Sequence, residues 1–107
     1  MGRSLGMTTT AILAALQHGA RYGLDIIQRS GLKPGTVYTT LRRLEQRDLV
    51  RGEWEDPSIA EAERRPRRRY YELTGDGASA LELAQQRLGV LTDTLFAEHS
   101  VGAKSET

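Results

Sequence analysis

The sequence predicts a mainly helical fold with one small β-hairpin, an α+β class. Apolar residues recur at three- and four-residue spacing in successive stretches, two short β-rich segments flank a polar loop, and Gly and Pro punctuate the boundaries. A length of 107 residues suits one domain, since such a chain buries a single core but hardly two. With 38% hydrophobic and 27% charged residues the composition is that of an ordinary soluble domain. No apolar run approaches the length of a bilayer span, so no membrane partner is expected.

The first helix starts at Thr8 or a neighbouring Thr, carries Ile12, Leu13 and Leu16 on one side, and ends near His18-Gly19. A second, from about Arg21 to Ser30, turns Leu24 and Ile27 inward and stops at Ser30-Gly31. The third begins with Pro34 in its first turn, where a missing N–H is harmless, and runs to about Arg47. At 100° per residue Val37, Leu41 and Leu44 cluster on one side, which points Gly35, Thr39, Arg42, Arg43 and Gln46 away from the core, with Thr36 and Tyr38 on the flanks. A strand over Arg51–Glu55, a polar loop from Asp56 through Arg64 and a return strand from about Arg67 to Leu73 complete a hairpin. Three helices followed by a hairpin is the order of a winged helix-turn-helix.

A last helix from Thr74–Asp76 to about Glu98 places Leu81, Ala84, Leu88, Leu91 and Leu95 at alternating gaps of three and four residues, a heptad seam that asks for a partner helix. The organisation expected is therefore a winged unit over residues 8–73, a C-terminal dimerisation helix over 74–98 belonging to the same compact unit, and flexible ends at 1–7 and 99–107.

The net charge of +1 hides a division: residues 1–71 carry 13 basic against 8 acidic side chains, whereas residues 72–107 carry 2 against 6. The basic part fits an anionic partner, and the acidic part argues against touching the same one. The absence of Cys removes disulfides, thiolate-ligated zinc and thiol nucleophiles together. His18 and His99 share no ligand spacing, and no Ser/His/Asp set or paired-carboxylate cleft can be assembled. No catalytic residue, metal or cofactor is expected, and with no secretory signal at the N-terminus the expected location is the cytoplasm.

Two features carry chemistry. On the third helix Arg42 and Arg43 present guanidinium forks suited to guanine edges or phosphate oxygens, Thr36 and Thr39 donate to either, and Lys33 and Tyr38 extend the set. The second is Arg64-Arg65-Pro66-Arg67-Arg68-Arg69, which gathers five of the fifteen basic side chains at the hairpin. Strand alternation turns the Leu73 face inward, which makes Arg68 the best exposed strand residue and leaves Arg64, Arg65 and Arg67 at the tip, where a narrow minor groove attracts them. Glu61 and Glu63 are placed to pair locally with Arg64 or Arg65. Trp54 could stack on an aromatic ligand, although packing against a neighbouring helix is the usual role of a lone Trp on a short strand.

These fragments also form a pattern: Tyr22-Gly23-Leu24-Asp25-Ile26, then Gly35-Thr36-Val37-Tyr38 and Leu41-Arg42-Arg43-Leu44-Glu45, then Arg69-Tyr70-Tyr71-Glu72-Leu73-Thr74 with Gly77 and Leu81. In this order the chain resembles PadR-like winged-helix transcriptional regulators over about residues 8–98, and its short last segment resembles that of the small members. The resemblance implies a dimeric repressor-type protein whose third helix reads the major groove of double-stranded DNA, whose wing touches the adjacent minor groove or backbone, and whose C-terminal helix makes the homodimer. The expected function is a sequence-specific transcriptional regulator acting on a roughly palindromic operator, with a small-molecule inducer unspecified. The alternatives are a winged helix used to dock on an acidic protein, and a small-molecule sensor without an operator.

Overall fold

The computed structural model describes residues 5–97, with side chains as far as Gly89. Three helices come first, α1 (Met7–Gln17), α2 (Gly23–Ser30) and α3 (Pro34–Gln46). They are followed by β1 (Val50–Trp54), a short α4 (Pro57–Ala62), β2 (Arg69–Leu73) and a long α5 (Gly75–Ala97). The expected flexible ends, and Glu98, fall outside the described residues apart from Leu5, Gly6 and Met7.

Helix ends are set by local chemistry. At the end of α1, Gly19 takes φ +107° while its N–H donates to the Leu16 carbonyl at 3.2 Å and that of Ala20 to Ala15 at 2.9 Å, a Schellman closure that needs the missing Cβ. The end of α3 closes in the same way, with Asp48 N–H on Glu45 and Leu49 N–H on Leu44, but Asp48 holds a φ of 58° without being glycine. Pro34 occupies the first turn of α3 as expected.

The core gathers Ile12, Leu13 and Leu16 from α1, Ile26 from α2, and Val37, Leu41 and Leu44 from α3. Val50 and Tyr71 of the hairpin and Leu81 of α5 close it. In α2 the inward residue is Ile26, fully buried, whereas Leu24 is 53% exposed, contrary to the expected inner face. The helix begins at Gly23 rather than Arg21 and buries the Gly23–Ile26 line; with Leu24, Ile26 and Ile27 crowded into eight residues, periodicity alone does not choose between faces.

The hairpin is antiparallel, with Val50 opposite Leu73, Gly52 opposite Tyr71 and Trp54 opposite Arg69. Its far edge is extended by one bridge between Tyr70 and Tyr22, and Tyr71 N–H donates to the Arg21 carbonyl at 2.8 Å, so the connection before α2 acts as a fragment of a third strand. The expected polar loop contains α4. Asp56 caps it by accepting from Ser58 N–H at 2.9 Å, Pro57 takes its first position, and Ala60 is buried. Six residues are too few to show a helical period in a sequence.

Candidate nucleic-acid interface

The outer face of α3 is polar and open. Thr36, Tyr38, Thr39, Arg42 and Arg43 are all exposed, and so is Lys33 at the N-cap. Among the described residues Lys33, Arg42 and Arg43 take part in no ion pair, so their charges face solvent uncompensated. Tyr38 lies across Gly23, where a Cβ would overlap its ring and hydroxyl; that glycine lets α2 and α3 approach closely. The arrangement suits recognition of groove edges and phosphates by a helix, with donors spaced along one side.

The hairpin end is a folded unit organised by Glu55, whose role is not legible in the sequence. Its side chain is 4% exposed, and it accepts a bidentate pair from Arg65 Nη1 and Nη2, both at 2.8 Å. It also accepts from the Arg68 backbone N–H and the Tyr70 hydroxyl, each at 3.1 Å. The Arg65 guanidinium chiefly, aided by the Arg68 N–H and the Tyr70 hydroxyl, holds the Glu55 carboxyl down at about 2, against the opposing pull of desolvation. Arg67 Nε donates to the Glu55 carbonyl at 3.1 Å, and Glu55 N–H to the Arg68 carbonyl at 2.8 Å.

This division corrects the uniform reading of the Arg run. Arg65 is inward, its side chain 19% exposed and also bonded to Glu63 at 2.9 Å, so it holds the wing together. Arg68 is half-buried, its guanidinium 4.1 Å from the centroid of the Tyr22 ring, and is not the most exposed of the group. Arg69 is tied to Glu45 of α3 at 2.8 Å across Gly52, whose hydrogen leaves room for that pair. Arg64 and Arg67 are exposed and in no ion pair among the described residues. The run precedes β2 because Arg67 and Arg68 are held by Glu55 before strand pairing begins at Arg69, so alternation does not govern them.

Trp54 is not buried under a neighbouring helix. It is 56% exposed, with the guanidinium groups of Arg67 and Arg69 at 5.2 and 5.3 Å from its ring centroid. Besides the Glu45–Arg69 pair, wing and α3 come together where Tyr38 and Trp54 border the same cleft as Arg67 and Arg68.

On α5, Leu81 is fully buried in the protomer's own core, which leaves no surface of it for a partner. A heptad repeat reports apolar neighbours without saying whether they belong to the same chain. Ala84 is half-buried, while Leu83 and Leu88 are 55% and 42% exposed. The side chains of Leu91 and Leu95 lie outside those described. Among the described residues no cluster of His, Cys, Asp or Glu is built to hold a metal, and no helix is long and apolar enough to cross a membrane.

No curated protein matches this chain. Among solved structures it is similar to a PadR family transcription regulator from Clostridium difficile, with 26% identity and a TM-score of 0.74, covering 87% of this chain and 97% of that one. It is also similar to a PadR-like transcription factor from Bacteroides fragilis, with 33% identity and a TM-score of 0.71, covering 84% and 87%. The PcaV transcriptional regulator from Streptomyces coelicolor, at 20% identity and a TM-score of 0.77 over 97% of this chain and 70% of that one, shares the fold. The family model described as the transcriptional regulator PadR-like family matches residues 12–83, a span holding α2, α3, the hairpin and most of α1. The chain thus belongs to the PadR-like family and is a winged-helix, DNA-binding transcriptional regulator rather than an enzyme.

Proposed function

We propose that two copies of this chain form a homodimer that binds a roughly palindromic operator in the cytoplasm and represses transcription from it. The observation that supports this reading most directly is that Tyr38, on the flank of α3's exposed basic face, borders the same cleft as Arg67 and Arg68 of the wing. In it Thr36, Thr39, Arg42 and Arg43 discriminate base edges, Lys33 and Tyr38 hold the helix on the backbone, and Arg64, Arg67 and Arg68 grip the adjacent phosphates or minor groove. Arg65 serves the same surface from inside, by ordering the wing.

The dimer is assigned to the outer part of α5, with Leu88 at its described end and Leu91 and Leu95 continuing the seam. Exposed Leu88 on a helix whose root is already buried is consistent with a second copy covering it. Two α3 helices then enter successive major grooves about 34 Å apart. Selection of bound fragments from random duplex DNA tests this reading: a two-fold symmetric consensus with half-sites about one helical turn apart is the expected result. Fragments without symmetry would refute the dimeric operator. Transcription from a promoter carrying the consensus should fall when the chain is added; a rise would refute repression.

A further inference from the structure

Strand alternation puts Trp54 on the same face of β1 as Val50 and Gly52, opposite Arg69 and Tyr71 of β2. That face is buried at Val50 and Tyr71 and leaves the core as the hairpin extends, so that Trp54, the last residue of β1, is 56% exposed. The ring is nevertheless held. The guanidinium groups of Arg67 and Arg69 stand 5.2 and 5.3 Å from its centroid, and Arg69 is itself fixed by Glu45 of α3. A large apolar surface is thus kept in water at a set position, in one cleft with Arg67 of the wing and Tyr38 on the flank of α3. Four arginines and no acidic side chain line that cleft, and among the described residues Arg67 and Arg68 are in no ion pair.

An apolar ring set among cations is complementary to a DNA strand, in which anionic phosphates are separated by deoxyribose rings with apolar C–H edges. We propose that Trp54 is a DNA-contact residue, its indole packed against a deoxyribose of the strand that runs from α3 to the wing, with Arg67 and Arg68 on the flanking phosphates. The assignment rests on the α3 and wing contacts proposed above. It adds to a cationic interface one apolar contact that salt does not screen. Because the two arginines position the ring before DNA arrives, little side-chain freedom is lost in using it. Indole on sugar carries no base information, so Trp54 contributes affinity and not sequence preference.

Trp54 is the single tryptophan of the chain, so its emission reports this position alone. The probe is the duplex recovered by selection from random DNA, added to saturation to the full chain. Quenching of Trp54 by acrylamide should then fall below that of the free chain, a shielding that a ring with a purely structural role would not acquire. Because Trp54 is exposed, its substitution leaves the core filled. Trp54→Ala should weaken the duplex about tenfold, whereas Trp54→Phe, which keeps a ring, should stay within about threefold of the parent. The loss should be the same at every salt concentration, and fragments selected by Trp54→Ala should give the parent consensus. Unchanged acrylamide quenching overturns the contact, and so does parental affinity in Trp54→Ala, an equal loss in both variants or an altered consensus. A selection that recovers no duplex refutes the operator reading and this contact with it, whereas a recovered duplex that leaves Trp54 open to acrylamide refutes the contact alone.

Discussion

Replacing Arg67 with Gln, and separately Arg65 with Gln, should separate a side chain that touches DNA from one that only shapes the wing. Five cations per protomer on the proposed surface are exposed and outside any described ion pair: Lys33, Arg42, Arg43, Arg64 and Arg67. A dimer then offers about ten, or about twelve with the half-buried Arg68 of the same proposed surface, and at about −0.9 per neutralised phosphate the log–log salt slope has a ceiling of about −11. Arg67→Gln removes two contacts from the dimer and should make the slope less negative by about 1.8, which extrapolated from about 1 M salt is about a thirtyfold loss of affinity at about 0.15 M. Arg65 is 19% exposed and bound to both Glu55 and Glu63. Its loss should loosen the wing and lower affinity by a similar factor at every salt concentration, with the slope unchanged. The assay is fluorescence anisotropy of a labelled operator across a salt series. A slope that shifts as much for Arg65→Gln as for Arg67→Gln, or for neither, would refute the division of the Arg run.

Other outcomes follow from single contacts. Glu55 is held at about 2 against an ordinary 4.5, so the unfolded chain takes up its proton first. The stability it contributes is full above pH 4.5 and is lost as pH falls from there towards 2, and Trp54 emission should report that loss, with Glu55→Gln removing the transition. Leu81→Ala, at a fully buried position, should cost about 2–5 kcal/mol and lower Tm independently of protein concentration. Leu88→Asp should spare the protomer and shift sedimentation towards monomer; a dimer that persists would place the seam elsewhere. Asp48→Gly should raise the urea midpoint, since a left-handed φ of 58° costs a non-glycine residue about 1 kcal/mol, while the Thr74 hydroxyl bonds the Asp48 backbone carbonyl and keeps that partner.

The parts of the fold that were legible are those where one apolar face has one possible partner. In α3, Val37, Leu41 and Leu44 fall on a single stripe and are buried as expected, which fixes the outward side. The same reasoning misplaced Leu24, because an eight-residue helix with three neighbouring apolar residues offers two faces. It also assigned Leu81 to a seam between chains, because the heptad does not record that α5 docks on its own core before it projects. Family resemblance supplied what periodicity did not, the role of each element, and the match over residues 12–83 bears out the family. Glu55 gave no signal at all: one acid among Glu53, Asp56, Glu61 and Glu63 is singled out only once β1 turns it under Arg65 and Tyr70.

That burial changes what an arginine run means. Five guanidinium groups in six residues read as a diffuse positive tip, and for a mobile loop charge number alone would govern binding. Here the tip is ordered before any partner arrives: Asp56 caps α4, Glu55 holds Arg65 and the Arg68 backbone, and Glu45 fixes Arg69 to α3. The ordering entropy of the wing therefore falls on folding, not on association, which favours affinity from few contacts. The Glu45–Arg69 pair, at 2.8 Å, also ties the wing to α3 directly, so a displacement of the wing is passed to that helix. Two arginines thus set the geometry of the remaining three, and the count that matters for the proposed recognition is the smaller one.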